Sequence, residues 1–299
     1  MIMKKFVTKI IFLFIIIGIC DFLFGKGMDY IVNHIESGGQ GRDNHICNTA
    51  DEDILIFGSS RAIQHYNAQM IEDSLGMTCY NCGEEGNGII LSYGRLSMVR
   101  ERHQPKIVIL DVEPRFDLFK SNNSSYLGWL KARYEREGIS EIFDKIDKTE
   151  RFKMTSHMYR YNSKYLQNFI FYLTGLSTET GIKGFRPMDM EMDTTRTSSF
   201  PEDYEYDSLK LEYVQKFINK AEGSKLVFVV SPIWNGMNTD ITEPIRKLCE
   251  NYNFLFLDFS NDPKYVHYNY YFRDGRHLNV RGADEFTRDL IKKIRDLEP

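Results

Sequence analysis

Five short stretches of the chain are apolar almost from end to end: Ile54–Phe57, Met77–Tyr80, Lys106–Leu110, Lys225–Val230 and Phe254–Leu257. Runs that stay apolar rather than alternating suit strands buried on both faces of a sheet. Several stop at residues that favour a turn, namely Gly58, Asp111, Ser231-Pro232 and Asp258. Between the runs the spacing becomes helical. Leu211, Val214, Phe217, Ile218 and Ala221 share one face and Gly223 supplies a stop, and Phe286, Leu290, Ile291, Ile294 and Leu297 repeat the pattern near the C-terminus. Alternation of this kind predicts a three-layer α/β/α, flavodoxin-like domain over residues 53–299, with a five-stranded, mainly parallel sheet. At 42% apolar residues the 299-residue chain has enough material for such a core. Functional residues in these sheets gather just beyond the carboxyl ends of the strands.

Three segments fall outside the rhythm. Residues 116–205 carry helix-like, aromatic-rich sequence (Tyr126 to Tyr134, Phe152 to Leu173) and a polar tail (Asp193 to Asp203), and read as a helical insertion forming a cap or wall beside the site. Residues 31–52 include Ser37-Gly-Gly-Gln-Gly-Arg42 and read as a polar linker. Residues 1–30 hold Lys4, Lys5 and Lys9 ahead of an apolar run from Ile10 to Cys20 that reaches membrane-spanning length when counted from Phe6 to Phe24. No small-residue cleavage site stands out, and Ile19 precedes Cys20 where a lipoprotein would have a small residue. An uncleaved signal anchor remains, its positive flank in the cytoplasm and the body exported.

The net charge of −4 implies no basic surface and argues against nucleic-acid binding. Cys79 and Cys82 make a lone C-x-x-C at the end of a strand, where packing explains them; no spacing suggests a metal cluster, and no glycine-rich nucleotide loop is present, so no cofactor is expected.

Two short blocks carry chemistry. Gly58-Ser59-Ser60-Arg61 follows the first strand and opens a helix-like run from Ile63 to Leu75. A serine at that bend would project above the sheet, with its amide at a helix N-terminus able to stabilise an oxyanion. Asp274-Gly-Arg-His277 lies just before the last helix. There a carboxylate can hold one imidazole nitrogen while the other faces a hydroxyl. His65, soon after Ser60, suits a helix-packing or surface position or the wall of a pocket, and Lys183 to Pro187 a turn or a loop over the site.

Together and in this order, the blocks resemble the SGNH, or GDSL, hydrolases. That family places its nucleophile in the third position of a G-x-S turn after the first strand, which here is Ser60, and its D-x-x-H before the last helix, here Asp274 and His277. Asn279, Gly282 and Ala283 look like the rest of that final block. The resemblance also implies an oxyanion-hole glycine in Asn81-Cys-Gly-Glu-Glu-Gly86, where Gly86 matches best, Gly83 and Gly88 are rivals, and Asn81 joins the substrate-contacting set. One block departs. Where the family offers G-x-N-D, this chain has Asp111-Val-Glu-Pro-Arg115, so Arg115 would replace the asparagine as donor or the hole would use backbone alone. In that departure the chain looks more like membrane-anchored envelope relatives, such as the D-alanyl-lipoteichoic acid and alginate acetylation proteins. The resemblance therefore implies an exported serine esterase or O-acyltransferase acting on acyl esters of envelope glycans or glycolipids. A membrane-bound O-acyltransferase is a possible partner, and a non-catalytic partner of such an enzyme is the alternative.

Overall fold

The computed structural model describes residues 2–162, 164–175, 181–192, 200–201 and 203–295. Leu297 and most of the polar stretch 193–203 fall outside them. In chain order the helices and strands are α1 (Ile2–Asn33), α2 (Gly38–Asn44), β1 (Ile54–Phe57), α3 (Ser60–His65), α4 (Ala68–Leu75), β2 (Cys79–Asn81), α5 (Ile89–Val99), β3 (Ile107–Asp111) and α6 (Pro114–Asp117). There follow α7 (Ile139–Ile146), α8 (Lys148–Lys153), α9 (His157–Tyr161), α10 (Tyr165–Thr174), α11 (Ser208–Lys220), β4 (Lys225–Val230), α12 (Glu243–Tyr252), β5 (Leu255–Asp258) and α13 (Val280–Ile294). They form two compact units: Met1–His45 with Leu127–Glu179, and Ile46–Tyr126 with Thr180–Pro299.

The second unit holds the sheet. Its order is β2-β1-β3-β4-β5, and all four pairings are parallel. The central strands are buried along their whole length, which is why they carry no polar alternation. Side chains nonetheless alternate between two faces. Ile54, Ile56, Ile107, Ile109, Val227 and Val229 share a core with Phe286 and Leu290 of α13 and Ile71 of α4. Phe57 points the other way and meets Phe217 of α11 edge to face at 5.5 Å, and α11 packs on α5. The unit is thus a three-layer α/β/α sandwich wound in the flavodoxin-like order. The switch point lies between β1 and β3, at whose carboxyl ends the Gly58-Ser59-Ser60 turn and Asp111 sit.

The helix-like run after Gly58 is two helices. Tyr66 is extended, and the Asn67 side chain accepts from the Met70 amide to start α4 afresh. Cys79 and Cys82 are buried, unlinked thiols, in keeping with packing. The segment Lys183–Arg186 runs beside β2: Lys183 O accepts from the Asn81 amide, and the Arg186 amide donates to Ile63 O.

In the first unit α1 is long and apolar enough to cross a membrane, with a mean hydropathy of 2.4 in its most apolar window. Gly38–Asn44, polar in sequence, form α2 and are largely buried. Their polar groups find partners inside the unit. Asn44 Nδ2 donates to Val32 O at 2.6 Å and Ile35 O at 2.8 Å, and Asp43 pairs with buried Arg133 at 3.6 Å.

Candidate active site

Gly58 makes the turn after β1 possible. Its φ of +141° is one that L side chains rarely adopt, and a Cβ there would lie 2.7 Å from Asp111 O and 2.9 Å from Ala62 Cβ. The chain can therefore pass directly from strand to helix, with Ser59 as N-cap and Ser60 as the first residue of α3. Ser60 is half-buried, and its amide meets no acceptor among the described residues.

The partner of Ser60 arrives from the loop before α13. Ser60 Oγ lies 2.9 Å from His277 Nε2. His277 Nδ1 lies 3.0 Å from Asp274 Oδ1 and 2.9 Å from Oδ2. Asp274 also accepts from the Arg276 and His277 amides at 2.9 and 3.0 Å. Partial burial works against its charge, but the His277 ring and backbone donors hold the carboxyl below its ordinary range. A carboxylate on Nδ1 keeps the proton on that nitrogen and leaves Nε2 to accept from the serine. The loop is pinned at both ends. The Arg273 amide donates to His277 O at 2.7 Å. Asn279 caps α13 by accepting from the Gly282 amide, and its Nδ2 donates to Tyr270 O and Phe272 O. Gly282 is required there, since a Cβ would sit 2.1 Å from Tyr271 O.

The resemblance's other site residues fare differently. Asn81 is fully buried; its Nδ2 donates to Ala62 O and Tyr66 O, and its Oδ1 accepts from the Gly83 amide. It braces the turn, with both of its Nδ2 hydrogens spent on backbone carbonyls. Gly86 stands on an exposed turn with nothing within 4 Å of its Cβ position. The glycine lying against the Ser59–Ile63 turn is its rival Gly83, whose Cβ would approach Ile63 N to 2.8 Å and Ser59 O to 3.1 Å. Gly88 packs instead on Phe116 and Asp117. Arg115, half-buried, lays its guanidinium 5.4 Å from the Phe200 ring centroid, and Arg276 meets the same ring at 5.0 Å. One aromatic ring thus ties Arg115 to the loop that carries His277.

Beneath the serine lies a buried polar network that sequence reasoning missed. Arg61, 1% exposed, has Nε 3.0 Å from Glu113 Oε2 and 3.5 Å from Asp111 Oδ2. Burial alone would depress its guanidinium, but Glu113 and Asp111 hold it above its ordinary value. Asp111 also accepts from Tyr66 OH at 2.8 Å and the Ser231 amide at 3.1 Å. The acidic residues of the departing third block therefore serve as counter-ions for the residue after Ser60. Arg95 and Glu84, a buried pair at 2.8 Å, brace the Cys82–Gly83 backbone, whose carbonyls Arg95 also contacts. His65 is wholly buried. Its Nε2 accepts from the Leu278 amide at 3.0 Å and its Nδ1 faces Ser231 Oγ at 3.0 Å. It therefore holds the residue that follows His277.

Among the described residues no group of His, Cys, Asp and Glu is placed to hold a metal ion. No family model matches the chain, and no curated protein does. Solved structures match over most of its length at low identity. The periplasmic domain of a Salmonella ser. Paratyphi A lipopolysaccharide acetyltransferase is 12% identical, with a TM-score of 0.41, and the match covers 92% of this chain and 96% of that one. A family two carbohydrate esterase from Clostridium thermocellum, in complex with cellohexaose, is 9% identical, with a TM-score of 0.38 and coverage of 83% and 65%. An acetyl xylan esterase from the rumen bacterium Butyrivibrio proteoclasticus is 8% identical, with a TM-score of 0.35 and coverage of 81% and 63%.

Proposed function

We propose that the chain is a membrane-anchored serine esterase or O-acyltransferase of the SGNH type. It would act outside the cytoplasmic membrane on acyl esters, acetyl foremost, of envelope glycans or glycolipids. The hydrogen-bonded array Ser60–His277–Asp274 at the carboxyl end of β1 carries this reading. His277 Nε2 takes the Ser60 proton as Oγ attacks the acyl carbonyl, and Asp274 stabilises the imidazolium that results. The Ser60 amide, at the head of α3, faces the developing oxyanion together with donors of the Gly83–Gly86 loop or Arg115. His277 then protonates the departing sugar hydroxyl and leaves an acyl-Ser60 ester. Water or a second sugar hydroxyl, deprotonated by His277, accepts the acyl group.

The positive flank of α1 supports an extracytoplasmic body. An exported transferase needs a membrane partner to deliver the acyl group, whereas an esterase does not. The test is envelope glycan O-acylation in wild-type cells and in cells carrying Ser60→Ala. A change in acylation is expected, a rise on loss of an esterase and a fall on loss of a transferase. Wild-type acylation with both Ser60→Ala and His277→Ala, set against a defect when the whole chain is deleted, would favour a non-catalytic partner of a membrane O-acyltransferase.

A further inference from the structure

Helix α10 is inside out for a helix in water. The residue it buries in its own unit is polar, Asn168. Tyr165, Leu166, Phe169, Ile170, Tyr172 and Leu173 are instead between 36% and 64% exposed. A surface helix in water shows the opposite arrangement. On α9, Met158, whose amide donates to Asp21 of α1, is 56% exposed, so the exposed apolar residues extend beyond one helix and exceed the scattered ones normal on a surface.

What borders this patch indicates what covers it. Tyr165 meets Phe24 of α1 at 6.3 Å between ring centroids, and Tyr172 meets Tyr30 at 6.1 Å. The two helices therefore run side by side in the same direction. Just before them, the Asp21 carboxylate accepts from Ser156 Oγ, from the His157 amide and ring, and from the Met158 amide, at 2.8 to 3.0 Å. Gly25 permits this close approach, because a Cβ there would lie 2.4 Å from the His157 ring. The apolar face of α10 is thus continuous with the exposed apolar surface of α1 that runs from Phe6 to Leu23.

Helical rise then sets the depth. At about 1.5 Å per residue, Lys5 to Lys26 spans about 31 Å, close to the thickness of a bilayer's hydrocarbon core. If Lys9 marks the inner boundary instead, the outer one moves to about Asp29 by the same rise. In either register the outer boundary crosses the stretch Phe24–Tyr30, which α10 flanks.

We propose that the apolar face of α10, with Met158, is immersed in the outer leaflet of the phospholipid bilayer beside α1. It forms a second, non-spanning membrane contact. The tyrosines at the α1–α10 seam take the interfacial position that amphipathic rings favour, and Lys26 reaches its ammonium group to the headgroups. Leu166, level with Phe24, sits deeper than Leu173, level with Tyr30. This inference rests on reading α1 as a spanning anchor, and its test separates the two.

The full chain, with Cys20→Ser to remove the exposed thiol, is reconstituted into phosphatidylcholine–phosphatidylglycerol liposomes. Nitroxide labels are placed one at a time at Ile15→Cys in α1, at Leu166→Cys and Leu173→Cys in α10, and at Glu250→Cys on the exposed side of α12. Their accessibilities to oxygen and to a water-soluble nickel chelate are compared. The expected result is oxygen well above nickel at Ile15→Cys and Leu166→Cys, a smaller excess at Leu173→Cys, and the reverse at Glu250→Cys. Nickel-accessible labels at both α10 positions, with Ile15→Cys in lipid, would overturn the α10 contact and leave the anchor standing. Labels at both α10 positions shielded from both reagents would overturn it in favour of a protein covering, a second copy or a partner. A nickel-accessible label at Ile15→Cys would overturn the anchor, and the α10 contact with it.

Discussion

Replacing His65 by leucine tests how the site is held together. The imidazole is wholly buried. Its Nε2 must be the acceptor, because the Leu278 amide donates to it at 3.0 Å, so Nδ1 carries the proton and donates to Ser231 Oγ at 3.0 Å. Leucine fills much of the volume but leaves a buried amide and a buried hydroxyl without their partner. At about 1–3 kcal/mol for each of the two unsatisfied groups, the loss is about 2–6 kcal/mol. For a domain of this size it appears as a fall of about 4–24 °C in melting temperature. Leu278 follows His277, so the base should shift as well, and a displacement near 1 Å costs about 100-fold in rate. The assays are thermal melting of the detergent-solubilised full chain and the second-order rate of labelling by a fluorophosphonate, taken well below both melting transitions. A variant melting within about 1 °C of wild type and labelling within about twofold would refute the claim that these bonds position the loop.

The same residue makes stability pH-dependent. Burial, with His277 and Arg61 beside it, holds His65 well below its ordinary value of 6.5. Below pH 6.5 the unfolded chain takes up a proton that the native state refuses. Stability is therefore complete above that pH and is lost as pH falls, by about 1.4 kcal/mol per pH unit. Asp117 acts in the opposite sense. Burial pushes its carboxyl up to about 7, so the native state keeps a proton that the unfolded chain loses above about pH 4, and stability falls as pH rises towards 7. The two effects oppose each other between about pH 4 and 6.5. The difference between the wild-type and His65→Leu curves isolates the histidine: the acid-side slope that depends on His65 should vanish from the variant.

Asp274→Asn keeps an oxygen for the Arg276 and His277 amides but turns an NH2 group towards His277 Nδ1, forcing the proton onto Nε2. The labelling rate should fall by about 10³–10⁴-fold with little change in melting temperature, and an undiminished rate would remove Asp274 from the mechanism. Gly58→Ala drives a Cβ to within 2.7 Å of Asp111 O at a φ of +141°, which should cost about 2–5 kcal/mol in a thermal or denaturant melt; wild-type stability would show that the turn has another geometry.

How much of this could be read from the sequence depended on where each residue's partners lie. Ile54–Phe57 and Lys225–Val230 were legible to the residue because strands buried on both faces leave an uninterrupted apolar run. The edge strands β2 and β5 shift by one or two positions, because their exposure blurs the ends. The break at Tyr66 and Asn67 was hidden because either helix continues the same apolar face. Residues 38–44 looked like a linker since polar, glycine-rich sequence signals loops; the partner of Asp43 is Arg133, far along the chain and invisible to local spacing. At the site, Asp274 and His277 are local and stood out. His65 was singled out without its partners, and Arg61 and Arg95 were not, because their roles are set by partners that sequence spacing does not show: Asp111 and Glu113 for Arg61, Glu84 and the Cys82–Gly83 carbonyls for Arg95. The one sequence signal was the acidic Asp111-Val-Glu113 where the resemblance called for G-x-N-D, and its use is to hold Arg61. Asn81 and Gly86 were assigned by analogy; Asn81 is buried and bonded to the backbone around it, and Gly83 of the same loop lies against the Ser59–Ile63 turn.

The central claim is that Ser60 Oγ is an activated nucleophile, and its most direct test is the site of covalent modification. The full chain in detergent is treated with a fluorophosphonate, digested, and the adduct located by peptide mass spectrometry. The account predicts one adduct, on Ser60, absent from Ser60→Ala and reduced by at least about 10³-fold in rate in His277→Ala. Equal labelling of wild type and Ser60→Ala, an adduct on Ser59, or no adduct on the intact wild-type protein would contradict it.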